Sequence, residues 1–98
     1  MKIIEINKNR RSIVEITENE RRLILDCLEM YKSKIGKAES YEIDKLKYNV
    51  INQNERISIS KLEAYTIQEV LHKVGAFKKE INDLIKVLQD LIDKISDE

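Results

Sequence analysis

Counting apolar positions back from the C-terminal end gives Ile95, Leu91, Leu88, Leu84, Ile81, Phe77, Val74, Val70 and Ile67, in steps that alternate between four and three. No other feature of the chain restricts its fold as strongly. An α-helix turns once in 3.6 residues, so this alternation lays all of these side chains along one seam. Leu71, Ile85 and Ile92 add a flanking row, as on the broader face of a bundle helix. Gln68, Glu69, His72, Lys73, Lys79, Asn82, Asp83, Lys86, Gln89, Asp90 and Asp93 fall on the other side and predict a wet face. Full burial of one Leu, Ile, Val or Phe side chain stabilises by ~1.5–3 kcal/mol. A seam this long must therefore meet other apolar groups.

Gly75 divides the readings. The register passes through it unchanged, which predicts one helix over 61–96, ~54 Å long at 1.5 Å per residue and bent at the glycine. The alternative is a break at Gly75, with the whole stripe folded into internal core. On the continuous reading, Ile67 to Ile81 find a partner in the first helix of the chain. Leu84, Ile85, Leu88, Leu91, Ile92 and Ile95, on a projecting segment 76–96, are left over. These six are the expected partner-binding residues, facing a second copy of the chain or another protein.

Upstream, KIIEI at 2–6 and SIVEIT at 12–17 are β-branched runs around the polar turn NKNRR, and they predict a β-hairpin. Thr17 followed by Glu20 makes a capping box, in which each side chain satisfies the other's backbone N–H. Ile24, Cys27, Leu28, Tyr31 and Ile35 then recur at helical spacing, with Leu23 widening the face and Gly36 available as a left-handed stop, so a helix is expected over 18–35. Residues 37–45 are polar and charged and are expected to be a connection. LKYNVI at 46–51 alternates Leu46, Tyr48 and Val50, and RISIS at 56–60 puts Ile57 and Ile59 on one face, which together predict a second hairpin. Ser60 and Glu63 form a second capping box.

The two halves echo each other. INKNRR at 6–11 resembles INQNER at 51–56, and the two capping boxes coincide when Ile24 is aligned with Ile67, Cys27 with Val70 and Leu28 with Leu71. A ββα duplication would relate 2–31 to 47–74 by a pseudo-twofold axis around one shared core and would require equal strand counts. The alternative is convergence of two strands that each lead into a capped helix. In either case the expected fold is α+β, a single domain of 98 residues with two short β-hairpins, one medium helix and one long amphipathic C-terminal helix.

Composition bears on function mainly by exclusion. Hydrophobic content is 42% and charged content 37%, too apolar for disorder and suited to helices with one wet face. Formal net charge is zero, which weighs against non-specific phosphate binding. One cysteine permits no internal disulfide, and no run of ~20 apolar residues is present. A cytoplasmic protein with no membrane partner is expected. Cys27 lies on the apolar side of its helix and reads as core, and His72 reads as an exposed surface side chain without companions for a metal site. Gly36 and Gly75 are the only glycines, so no phosphate-cradling loop, cofactor or small-molecule site is indicated.

Arg10, Arg11, Arg21, Arg22 and Arg56 could converge as a basic patch, and Arg21 and Arg22 near a helix N-terminus oppose the helix dipole. The expected function is a non-enzymatic interaction protein that acts by protein–protein binding, as a homodimer, with coiled-coil character in its long helix. The small size, and a composition rich in Ile, Lys and Asn, would suit a regulator or inhibitor encoded by a phage or other mobile element. The alternative is a nucleic-acid-binding regulator that uses the arginines.

Overall fold

In the computed structural model, which describes residues 1–7, 11–51, 54–75 and 78–96, the two β-branched runs are strands β1 (Lys2–Glu5) and β2 (Ser12–Glu15). They pair antiparallel, Lys2 opposite Glu15 and Ile3 opposite Val14, with an irregularity between Ile3 and Glu5. The Asn7 N–H donates to Ser12 Oγ at 3.0 Å, and Asn7 Nδ2 donates to the Arg11 carbonyl at 3.3 Å, tying the two strand ends together; residues 8–10 of the expected turn lie outside the described residues. The first hairpin is thus as the sequence predicts.

Helix α1 (Glu18–Lys32) starts at the predicted capping box: Glu20 N–H donates to Thr17 Oγ1 at 3.1 Å and Thr17 N–H to Glu20 Oε1 at 2.9 Å. It ends earlier than the expected 35, at Ser33, whose hydroxyl donates to the Met30 carbonyl at 2.7 Å. Gly36 is not a left-handed stop, since no described glycine has positive φ. Its carbonyl instead accepts the Ser40 N–H at 2.9 Å and opens the next helix.

That helix, α2 (Lys37–Ile51), replaces the expected connection and the expected strand at 46–51. The alternation of Leu46, Tyr48 and Val50 was compatible with a strand only while Ile43 was left out. Ile43, Leu46 and Val50 recur at three and four, and all three are buried. A 15-residue helix docked on α1 buries more than a six-residue edge strand could.

The remaining strand, β3 (Arg56–Ile59), therefore joins the first sheet instead of forming a second hairpin. It runs antiparallel to β2, Ser12 opposite Ile59 and Val14 opposite Ile57, in the order β1-β2-β3. The Ser58 carbonyl accepts from Arg11 Nη2 at 2.8 Å and from Asn49 Nδ2 at 3.3 Å. Both donors come from outside the sheet's hydrogen-bond ladder, and they blunt an edge that would otherwise invite strand addition.

The ββα duplication fails on its own criterion, because residues 2–31 hold two strands and residues 47–74 hold one. A smaller correspondence survives. The offset that aligns Thr17 with Ser60 also aligns Val14 with Ile57, and those two are direct cross-strand partners. Two strand–capping box–helix units thus meet back to back, with β1 and α2 as unmatched additions.

The second box begins α3 (Lys61–Val74), and a break at Gly75 separates it from α4 (Lys79–Ser96). The continuous 61–96 helix is overturned, and the alternative of two helices holds. The longest principal extent of the molecule is 35 Å, too short for a ~54 Å rod. A Cβ placed on Gly75 would lie 2.6 Å from Ile81 Cδ1 and 2.8 Å from Ile81 Cγ2. Only glycine lets α4 turn back this tightly. Ala76 and Phe77 lie outside the described residues.

The core lies between one face of the sheet and the helices. Val14, Ile57 and Ile59 meet Ile24 and Leu28 of α1, Ile67 and Leu71 of α3, and Leu84, Leu88 and Leu91 of α4 in one buried cluster. α4 lies mainly on α3 and also touches α1 and β1, whereas α2 packs on α1 from the outside. Gln68, expected on the wet face, is buried between α3 and α4, where its Nε2 donates to Gln89 Oε1 at 2.8 Å and to the Ile85 carbonyl at 3.4 Å.

Candidate functional site

The six residues expected to bind a partner are internal. Leu84, Leu88, Leu91, Ile92 and Ile95 are buried, and Ile85 is half-buried against the same core. The turn at Gly75 lays α4 along α3, so the surplus inferred for a projecting helix does not arise. This helix end is not an open apolar face in the folded chain.

The described arginines each engage partners of their own. Arg10 lies outside the described residues. Arg11 reaches along β3, pairing with Glu63 and with Ser58 Oγ as well as the Ser58 carbonyl. Arg21 Nη1 donates to the Val50 carbonyl at 2.9 Å, and its guanidinium also reaches the Asn54 carbonyl. It thereby caps the C-terminal end of α2, where last-turn carbonyls lack helical partners and the dipole favours a cation. Arg21 is misplaced for the dipole of its own helix because it serves its neighbour's. Arg22 is exposed and sits 3.8 Å from Glu18; Arg56 Nε sits 3.8 Å from Glu15. Arg21 and Arg56 share an open depression with Glu15, Glu18 and Glu55, so the charge there is mixed.

Cys27 is buried, and burial, with the nearby Asp26 carboxylate, pushes its thiol up from the ordinary value despite the opposing pull of Lys78. A raised thiol holds little thiolate at neutral pH and makes a poor nucleophile. His72 is exposed, and no metal-ligating cluster occurs among the described residues. No helix among them is long and apolar enough to cross a membrane.

The unexpected feature is the solvent side of α2 and the start of α3. Tyr41 is 62% exposed, Tyr48 71%, Ile51 54%, Leu62 75% and Tyr65 47%. Single exposed apolar residues are ordinary, but α2 and the first turns of α3 together carry five. Tyr41 and Tyr48 are seven apart, two turns of helix, and lie opposite the buried row Ile43, Leu46 and Val50. The Asn49 side chain ties α2 to the head of α3, donating to Glu63 Oε2 at 3.2 Å and to the Ser58 carbonyl. Tyr48 and Ile51 neighbour Asn49 in the chain, and Leu62 and Tyr65 neighbour Glu63.

Charges of both signs frame the face. Lys45 Nζ lies 5.4 Å from the Tyr41 ring centre and 3.7 Å from Glu42, and Lys61 Nζ lies 6.0 Å from the Tyr65 ring centre. α2 is fixed from behind by Lys32 to Asp44 at 2.7 Å and by Lys47 to Glu29. The Asp44 carboxylate, hydrogen-bonded to Lys32, holds that amine above its ordinary value, and Lys47 holds Glu29 below its own. Sequence reasoning missed this face because residues 37–51 were divided between a connection and a strand. The seven-residue spacing of Tyr41 and Tyr48 against a 43-46-50 core row was the available signal.

No family model matches the chain, and neither a curated protein nor a solved structure matches it.

Proposed function

We propose that this chain acts by binding protein, not by catalysis, and that it docks its partner on the face formed by Tyr41, Tyr48 and Ile51 of α2 with Leu62 and Tyr65 of α3. The observation that carries this reading is the exposure of five large side chains on α2 and the first turns of α3, with Tyr41 and Tyr48 aligned opposite the core row of α2. Tyrosines offer large contact area at low conformational cost and a polar tip that tolerates water in the free state, which is why interface centres favour them. Lys45, Glu42 and Lys61 supply a charged rim of both signs, matching the polar periphery of a protein interface better than a phosphate-binding surface. A small regulator or inhibitor that works by occupying another protein's surface fits these features, and a second copy of the chain is one such surface.

The test compares the native chain with a Tyr41→Glu/Tyr48→Glu variant. Circular dichroism should show the same helical content in both, since neither ring is in the core. Crosslinking in the native host followed by mass spectrometry should recover a partner with the native chain and lose it with the variant. A partner retained in full by the variant would show that binding uses another surface.

A further inference from the structure

The seam from Ile67 to Ile95 keeps its 4–3 register across a point where the chain turns back on itself. A hairpin does not require this. Two helices joined by a turn need only have an apolar face each, and the connection between them is free to shift the phase. Here the phase is kept, as a continuous helix would need it.

Local chemistry at the turn is equally permissive. No proline occurs in the chain, and Gly75 has no positive φ, so the usual left-handed closure is absent. The Gly75 N–H still makes the helical bond to the Leu71 carbonyl, at 2.9 Å. Gly75, the C-cap of α3, thus still carries the last helical hydrogen bond of that helix. The folded-back form also depends on the missing Cβ of Gly75, since Ile81 occupies that space.

From these observations we infer that the chain exchanges α4 with a second copy of itself. In the exchanged dimer α3 and α4 of each chain join into one straight helix. The α4 of one copy then lies on α3, α1 and β1 of the other, in the position that its own α4 otherwise fills. The contacts of α4 with the helical and sheet core are reproduced, including the Gln68–Gln89 bond, and only the close approach of Ile81 to Gly75 at the turn is given up, so the exchange demands no new interface and removes a turn. Two long helices would run antiparallel with their unbroken seams facing, which gives the preserved register a physical use. This inference does not rest on the tyrosine face, whose variants leave it untouched.

The experiment places Gln68→Cys and Gln89→Cys in a Cys27→Ser chain and bridges them with a short bis-maleimide reagent. In the monomer the bridge lies within one chain; in the exchanged dimer it joins two. The full chain is unfolded, refolded at micromolar and at near-millimolar concentration, and followed by light scattering and denaturing gel. Cross-chain bridges that rise with refolding concentration are the expected result. Gly75→Ala should move the balance toward dimer by roughly tenfold, because alanine favours helix over glycine at both junctions of the dimer. Lengthening the turn with three residues after Gly75 should move it back toward monomer. Bridges confined to single chains at every concentration would overturn the inference, including in a dimer seen by light scattering. Such a dimer would use an outer surface instead. If Gly75→Ala does not fold, the concentration series on the native turn decides alone.

Discussion

Helices α4 and α2 each carry an apolar row along one side, and each is held by a neighbouring helix, yet they dispose of their large side chains differently. On α4, Ile81, Leu84, Leu88, Leu91, Ile92 and Ile95 are buried and the outer side is charged. On α2, only Ile43, Leu46 and Val50 are buried, and Tyr41, Tyr48 and Ile51 face water. A sharp division between apolar and polar sides is what a helix needs to pack inside its own chain. A blurred division leaves apolar area outside after the core is complete. The more amphipathic helix is therefore the structural one, and the less amphipathic helix is the better place to look for a partner.

The largest expected effect falls on α4. Leu88 is fully buried at the middle of the helix, and Leu88→Ala should lower unfolding free energy by about 2–5 kcal/mol through lost transfer energy and a residual cavity. Chemical denaturation would measure it. A loss under 1 kcal/mol would mean that α4 is loosely seated and that the contrast with α2 is overstated.

The same contrast explains what was legible from the sequence. Strong local signals translated directly: the first hairpin, both capping boxes, and the buried set Ile24, Cys27, Leu28, Ile67, Val70 and Leu71. The break at Gly75 could not be chosen because it depends on Ile81 filling the space of an absent Cβ, a contact set by tertiary packing. α2 was hidden because its apolar residues lie on two sides, so a short window through Leu46, Tyr48 and Val50 imitated a strand. Gln68 looked wet because its partner Gln89 lies on the following helix, and only the turn brings them together. The role of Arg21 was beyond reach for the same reason: it serves the end of a helix that the sequence did not announce.

Arg21 supplies the next effect in size. Its guanidinium satisfies carbonyls at and beyond the C-terminal end of α2. Arg21→Met keeps much of the stem but removes the donors, which should cost about 1–3 kcal/mol, the range for leaving a partly buried acceptor unsatisfied. Hydrogen exchange should show faster opening of α2 than of α4. Equal acceleration in both helices would indicate that α2 does not unfold as a separate, weaker unit.

Smaller again are the caps that begin α1 and α3. Thr17→Ala and Ser60→Ala should each cost about 1 kcal/mol by denaturation. The first box carries a pH signature as well. Burial pushes the Glu20 carboxyl up, but hydrogen bonds from the Met1 ammonium and the Thr17 N–H outweigh it and leave the carboxyl below its ordinary value. A group depressed in the folded state stabilises fully above its unfolded value and loses that contribution as pH falls through its folded one. Acid titration should therefore destabilise the native chain more steeply than Glu20→Gln. Parallel curves would show that this carboxylate contributes no pH-dependent stability.

The smallest effect on stability is the one that most sharpens the comparison. Tyr48 is largely exposed on the side of α2 away from its core row. Tyr48→Ala should change unfolding free energy by no more than about 0.5 kcal/mol, as surface substitutions do. Alanine also has the higher helix propensity, which offsets lost ring contacts. The matching experiment asks whether the substitution weakens partner capture while leaving the denaturation midpoint in place. Leu88→Ala should do the reverse, lowering the midpoint while the fraction still folded binds normally. If Tyr48→Ala instead destabilises as much as a core substitution, its ring is part of the packing and the outer side of α2 is not a surface held in reserve for another protein.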